Sequence, residues 1–187
     1  MLAKSATREV APVETLATET SASLMLNGGF FDQELKPMGL IVSEGKQLVA
    51  LRRESDWGVF FIKDGKPSLK HTREITDTKD FSFAVQCGPR ILIDEKVPKL
   101  KPQSYARTAI GVSKDLKLLL LVTYQAPVAA DVLGAFFQEQ LQATDAMLLD
   151  GGPSTQLYAE LPGFSLRRPG GTGIAHGIGL LPQNKTP

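Results

Sequence analysis

The chain has 187 residues, 42% of them hydrophobic and 22% charged, and a formal net charge of +1. That balance is ordinary for a single soluble globular domain with a sizeable core, and it provides no global field to recruit nucleic acid or an anionic membrane. One cysteine, Cys87, excludes an intramolecular disulfide and a thiolate metal cluster, and the two histidines, His71 and His176, lie too far apart to suggest a zinc site. No apolar run reaches the about 18 residues of a membrane-spanning helix. Residues 1–8 lack the apolar core of a signal peptide.

Residues 1–20 are polar and rich in threonine. Pro12 is placed to open a short helix over Val13–Glu19, with Val13, Leu16 and Ala17 on one side. The strand Ser23–Leu26 runs into Asn27-Gly28-Gly29-Phe30-Phe31-Asp32, a glycine pair bracketed by polar residues, with Phe30 and Phe31 expected in the core. Two hairpins follow: Met38–Val42 and Gln47–Leu51 flank Ser43-Glu44-Gly45-Lys46, and Val59–Ile62 and Pro67–Leu69 flank Lys63-Asp64-Gly65-Lys66. His71–Asp80 is charged and without pattern, so a surface loop with a solvated His71 is expected.

Phe81–Val85 alternates and meets Cys87-Gly88-Pro89 before Ile91–Ile93 resumes as a strand. Cys87 has no activating neighbour in sequence and is expected as a small core residue. Asp94–Gln103 reads as a loop. Strands at Arg107–Val112 and Leu116–Tyr124 flank Lys114-Asp115, and the unbroken run Leu118–Val122 predicts a strand covered on both faces. Ala129, Val132, Leu133, Phe136, Phe137 and Leu141 recur at helical spacing and predict the main helix over 129–143. After Tyr158 the chain reads as irregular through Pro162-Gly163; Ile174–Leu181, containing His176, reads as a closing strand. The sum is an α+β fold, a largely antiparallel twisted sheet of about nine short strands with one main helix and a short N-terminal one. Residues 1–23 are expected as an N-terminal segment and 24–187 as the domain.

One stretch carries a carboxylate at an unusual place. Ala146–Leu149 reads as a short buried strand that delivers Asp150 into Gly151-Gly152-Pro153-Ser154-Thr155, and Gln156-Leu157-Tyr158 reads as a second strand leaving the turn. Bared backbone amides and two hydroxyls beside a carboxylate suit an anionic or polyhydroxylated ligand. An exposed Asp-Gly hairpin turn explains the same residues.

Three segments, Asn27–Asp32, Ala106-Arg107-Thr108-Ala109-Ile110-Gly111 and Leu149–Ser154, with Cys87-Gly88-Pro89 between the first two, resemble the phosphodiester glycosidase family from about Leu24 to Leu181. The chain departs from the family pattern at Pro153, where a third glycine is common, and only 23 residues precede Leu24, where family domains usually bring further strands. The resemblance implies hydrolysis of a sugar-1-phosphodiester at the anomeric C–O bond, in an extracytoplasmic compartment of a bacterium. It implies no cofactor and leaves a divalent metal open; the partner is a small or polymeric sugar phosphate, and oligomeric state is left unknown.

Such a substrate expels a phosphate monoester, whose conjugate acid has a pKa of about 6, so departure needs little general-acid help. It needs donors for the growing charge, a role suited to Arg107 with Arg167 or Arg168 as helpers. Across the anomeric carbon a carboxylate attacks, activates water or stabilises positive charge, with Asp150 the first choice and Asp32 the second. Asn27, Ser154 and Thr155 suit sugar hydroxyls, and Gly28, Gly29, Gly151 and Gly152 would let the backbone close on the ligand. His176 is either a phosphate contact or base, or a hydrogen-bonded structural histidine. Two other classes compete: a non-catalytic glycan or sugar-phosphate binding module, and a hydrolase with Ser154 as nucleophile, although Gly152-Pro153-Ser154-Thr155-Gln156 lacks the second glycine of a nucleophile elbow.

Overall fold

The structure, a computed structural model, describes residues 2–3, 10–124 and 126–182. Its strands are β1 (Leu2–Ala3), β2 (Leu24–Asn27), β3 (Ile41–Ser43), β4 (Lys46–Val49), β5 (Gly58–Lys63), β6 (Lys66–His71), β7 (Phe81–Cys87), β8 (Arg90–Leu92), β9 (Ser104–Tyr105), β10 (Thr108–Ser113), β11 (Leu118–Val122), β12 (Val128–Ala129), β13 (Ala143–Leu148), β14 (Leu157–Leu161), β15 (Phe164–Arg168) and β16 (Gly177–Leu180). Two α-helices join them, α1 (Val13–Thr20) and α2 (Ala130–Glu139). The strands form three main antiparallel sheets, in the orders β1-β16-β2-β14-β15, β11-β10-β13-β8 and β4-β3-β7-β5-β6, plus the small pair β12-β9. The fold is therefore α+β with mostly antiparallel twisted sheets, and it divides its strands among several sheets rather than one.

Alternating side chains connect the sheets through one core. Phe60 of β5, Val85 and Cys87 of β7, Ile110 and Val112 of β10, Met147 of β13, Leu26 of β2 and Ile178 of β16 all enter it. Ala109 and Leu148, next to inward-facing residues, instead meet Leu133 and Phe137 of α2 on the opposite face. Each fully buried aliphatic or aromatic side chain contributes about 1.5–3 kcal/mol. Helix α1 covers the first sheet with Val13, Leu16 and Ala17, the three residues its periodicity selects.

Both predicted hairpins form, because Glu44-Gly45 and Asp64-Gly65 take positive φ, as a tight two-residue turn between twisted strands requires. Other expectations are corrected. The main helix stops at Glu139 instead of continuing to 143, since Gln142 turns left-handed (φ 49°) and Ala143 starts β13. The segment after Tyr158 is a regular hairpin of β14 and β15 about Pro162-Gly163. His71 is no solvated side chain: Nε2 lies 2.8 Å from Asp56, and Nδ1 accepts from the Arg73 amide to cap a 3-10 turn. The run Leu118–Val122 is covered on both faces as expected, Leu118, Leu120 and Val122 by the central core and Leu119 and Leu121 by the α2 core, yet β11 is an edge strand. Among the described residues no helix is long and apolar enough to cross a membrane.

Candidate active site

The Asp150 segment is not a hairpin turn. β13 pairs with β10 and β8, whereas β14 belongs to the first sheet, between β2 and β15. Residues 149–156 therefore cross from one sheet to another, and Asp150 sits at the crossing. The anchors of this crossing come from the other two motif segments. The Leu149 amide donates to the Thr108 carbonyl (2.8 Å), the Asp150 amide to Gly28 (3.1 Å) and the Gly152 amide to Ala106 (2.8 Å).

Asn27 ties the assembly together. It is fully buried at the end of β2. Its Nδ2 donates to the carbonyls of Asp150 (2.7 Å) and Gly28 (3.2 Å), and its Oδ1 accepts from the Thr108 hydroxyl (2.6 Å) and the Gln156 amide (3.2 Å). Every polar atom of the side chain is thereby satisfied inside the protein, so Asn27 positions the site from below. Gln156 does the same one step along, accepting from the Val13 amide and donating to the Ser154 and Thr172 carbonyls.

The Asp150 carboxylate is half-buried. Burial raises its pKa above the usual value of 3.8, opposed by hydrogen bonds from the Ser154 hydroxyl and the Gly151 amide, and no second carboxylate contributes. The Gly151 bond to Oδ1 is 2.9 Å. Gly152 takes positive φ (59°) with open space where a side chain would stand, so the turn after Asp150 is bare of side chain there. Ser154 is 5% exposed and its hydroxyl serves the carboxylate, which leaves it without the histidine base that a serine nucleophile needs. The Thr155 hydroxyl is shielded from solvent and has no hydrogen-bond partner among the described residues.

His176 lies beneath the Asn27-Gly28-Gly29 turn, 4% exposed. Its Nε2 accepts from the Gly29 amide at 2.9 Å, and its carbonyl accepts from the Gly28 amide at 2.9 Å. Nε2 is thus the unprotonated nitrogen, occupied by backbone. A Cβ at Gly28 would stand 2.2 Å from the imidazole, so this glycine exists for the close approach of the ring. Of the four candidate glycines, Gly28 and Gly29 pack internally, and Gly151 and Gly152 border the carboxylate.

Asp32 stands apart from this group. It is exposed, and its Oδ1 accepts from the Glu34 and Lys36 amides of its own loop. Arg107 follows directly on the Ala106 anchor. Its Nε donates to the Val128 carbonyl (3.1 Å), one Nη donates to the Gln103 carbonyl, and the guanidinium stacks 5.0 Å from the Tyr105 ring centroid. Partial burial pushes its pKa down from the usual value. Arg168 reaches the same loops, 4.5 Å over the Tyr124 ring, whereas Arg167 is engaged with Glu14 and Glu160.

Cys87 approaches the carboxylate from the core side. Burial pushes its thiol up to about 12, hydrogen bonds from the Phe30 and Gly88 amides oppose that, and the Asp150 charge adds to it. It is a core thiol as expected. Beyond it Trp57 packs on Gly88 and edge-on to Phe30 (ring centroids 5.2 Å apart), forming a half-exposed aromatic corner. Trp57 is held by a buried polar knot that sequence reasoning missed: Gln86 bonds Leu40, Arg52, Ser55 and Thr72, and the Thr72 hydroxyl bonds the Trp57 carbonyl. Among the described residues no three His, Cys, Asp or Glu side chains gather as a metal cluster.

Known proteins share the fold, and a family model covers most of the chain. The YigE protein of Escherichia coli K12, itself uncharacterized, is 27% identical over 146 residues, which is 72% of this chain and 57% of that protein. This chain thus spans little more than half the length of that relative. The catalytic domain of zebrafish N-acetylglucosamine-1-phosphodiester alpha-N-acetylglucosaminidase, auto-inhibited by its pro-peptide, superposes with a TM-score of 0.77 at 20% identity, covering 93% of this chain and 68% of that one. A hypothetical protein from Synechocystis superposes with a TM-score of 0.63 at 15% identity, over 96% of this chain and 56% of that one. The family model for phosphodiester glycosidase matches residues 20–181, and the chain belongs to that family.

Proposed function

We propose that this chain hydrolyses a sugar-1-phosphodiester at the anomeric carbon–oxygen bond, outside the cytoplasm, releasing free sugar and a phosphate monoester. The C–O electron pair leaves with the phosphate, water supplies the new oxygen on the anomeric carbon, and the water's proton passes to Asp150 or to solvent. The observation that carries this reading is the half-buried carboxylate of Asp150, held at a sheet crossing by Asn27, with the Ala106 carbonyl, next to Arg107 in the chain, bonded to the same turn. Glycosidases with poor leaving groups need two carboxyl groups, one of them a general acid. A phosphate monoester leaves at neutral pH without one, so a single carboxylate suffices. In this reading Gly151, Gly152 and the Trp57 corner border the sugar, Arg107 and Arg168 receive the phosphate, and Asn27, Ser154 and His176 position the groups that touch it.

One observation favours a second reading, a binding module for sugar phosphates. The Nε edge of Arg107 already donates to backbone carbonyls, so only the remaining Nη hydrogens can meet a leaving group. A panel of sugar-1-phosphodiesters in heavy-oxygen water separates the two. Hydrolysis at the anomeric carbon puts the label in the sugar. Label in the phosphate, or ligand binding without any release, would overturn the proposal.

A further inference from the structure

We propose that the groove between α2 and the edge strand β11 receives an apolar aglycone, which makes the substrate class a sugar-1-phosphate esterified to a lipid alcohol. The inference rests on the hydrolase reading and extends it to the far side of the phosphate. The groove measures about 290 Å³ and is lined by Leu121, Thr123, Val128, Val132, Leu133 and Phe136. No ionisable side chain lines it. Val132 and Phe136 are 60% and 44% exposed, on a helix whose other face, with Leu133 and Phe137, is already buried. Exposing two large apolar side chains together, beside an unpaired strand edge, costs solubility unless something apolar covers them.

The position of the groove identifies the occupant. Two of its lining residues hold Arg107: the Arg107 amide donates to the Thr123 hydroxyl (2.8 Å) and Nε donates to the Val128 carbonyl (3.1 Å). One residue earlier, the Ala106 carbonyl holds the Gly152 amide, two residues beyond Asp150. These bonds join the Asp150 turn, Arg107 and the apolar groove in that order, which is the order in which a lipid-linked sugar phosphate presents its anomeric carbon, phosphate and hydrocarbon chain. A sugar or polyol aglycone would find a single side-chain hydroxyl in the groove, that of Thr123, which already accepts from the Arg107 amide.

Alkyl phosphates test this without requiring the right sugar. Butyl and decyl phosphate are titrated calorimetrically against the full chain below their micellar concentrations, with decyl maltoside as a neutral control. A fully buried methylene gains about fourfold in affinity, so six half-buried ones should favour decyl over butyl phosphate by about 50-fold. The exposed pair Val132→Asp and Phe136→Ser, made together and checked for an unchanged melting temperature, should bring decyl phosphate down to the butyl value. Equal binding of the two phosphates, a gain that survives the double variant, or equally tight decyl maltoside would overturn the proposal. So would a wild-type dimer that the double variant dissociates, since a second copy would then own the groove. Chain-length-dependent binding with no turnover of any sugar-1-phosphodiester would sink the hydrolase reading alone; turnover without chain-length dependence would sink only the groove.

Discussion

Asn27 and Asp150 stand 123 residues apart in sequence and meet through a 2.7 Å hydrogen bond from the Asn27 amide nitrogen to the Asp150 carbonyl. The same side chain accepts from Thr108 and Gln156, so one buried amide joins the three motif segments. Asn27→Leu, of similar size, strands the Thr108 hydroxyl, the Gln156 amide and the Asp150 carbonyl in the interior. The loss should be about 3 kcal/mol or more in chemical denaturation, given about 1–3 kcal/mol for each buried group left unpaired. A loss below about 1 kcal/mol would mean that the network is not a structural tie.

The Asp150 charge has a predictable effect on stability. Burial raises its folded pKa above 3.8, so the favourable contribution belongs to the protonated form. That contribution is fully present below the unfolded value and is lost as pH rises through the folded one. At neutral pH the ionised carboxylate therefore opposes folding, and Asp150→Asn should melt at the same or a higher temperature than wild type. The difference should shrink on acidification toward 3.8. For the same reason the acidic limb of a kcat/KM profile should lie above the ordinary aspartate value.

Cys87 should be inert. With the thiol pushed up to about 12 and fully buried, an alkylating reagent at neutral pH should modify it only after unfolding. Mass spectrometry of native and denatured protein checks this. Rapid labelling of the native chain would place the thiol in the cleft instead of the core.

Arg107→Lys keeps a charge but loses the planar fork and both carbonyl bonds to the 103–128 loops. The variant should lose about 1–2 kcal/mol of stability. Its kcat/KM should fall further on a sugar-1-phosphodiester than on a neutral aryl glycoside of the same sugar. Equal losses on both substrates would make Arg107 a loop tie and no more.

How far the sequence reaches can be judged from particular residues. Helix α1, both early hairpins and the core role of Cys87 were legible, because each is written in local periodicity or turn chemistry. Asn27, Thr108 and Asp150 lie in segments far apart in the chain, and only the resemblance of the three motif segments as a set groups them. The division into several sheets was not legible, because two neighbouring strands such as β13 and β14 read alike whether they pair or part. Gln86 and Gln156 were missed for a related reason. Nothing local distinguishes a glutamine that bonds four distant residues from one that points to solvent. For His176 the sequence allows two roles, and its bond to the Gly29 amide, 147 residues away, is not written in any local pattern.

The most direct test of the central claim compares wild type with Asp150→Asn on a sugar-1-phosphodiester, measuring sugar release, ligand affinity and melting temperature on the same two proteins. The substitution keeps the size of the side chain and removes only the charge. The account predicts turnover reduced by about 100-fold or more, with the fold retained and affinity equal or higher, because the anionic substrate no longer faces a carboxylate. Near-wild-type turnover in a well-folded Asp150→Asn protein would contradict it and remove Asp150 from the mechanism.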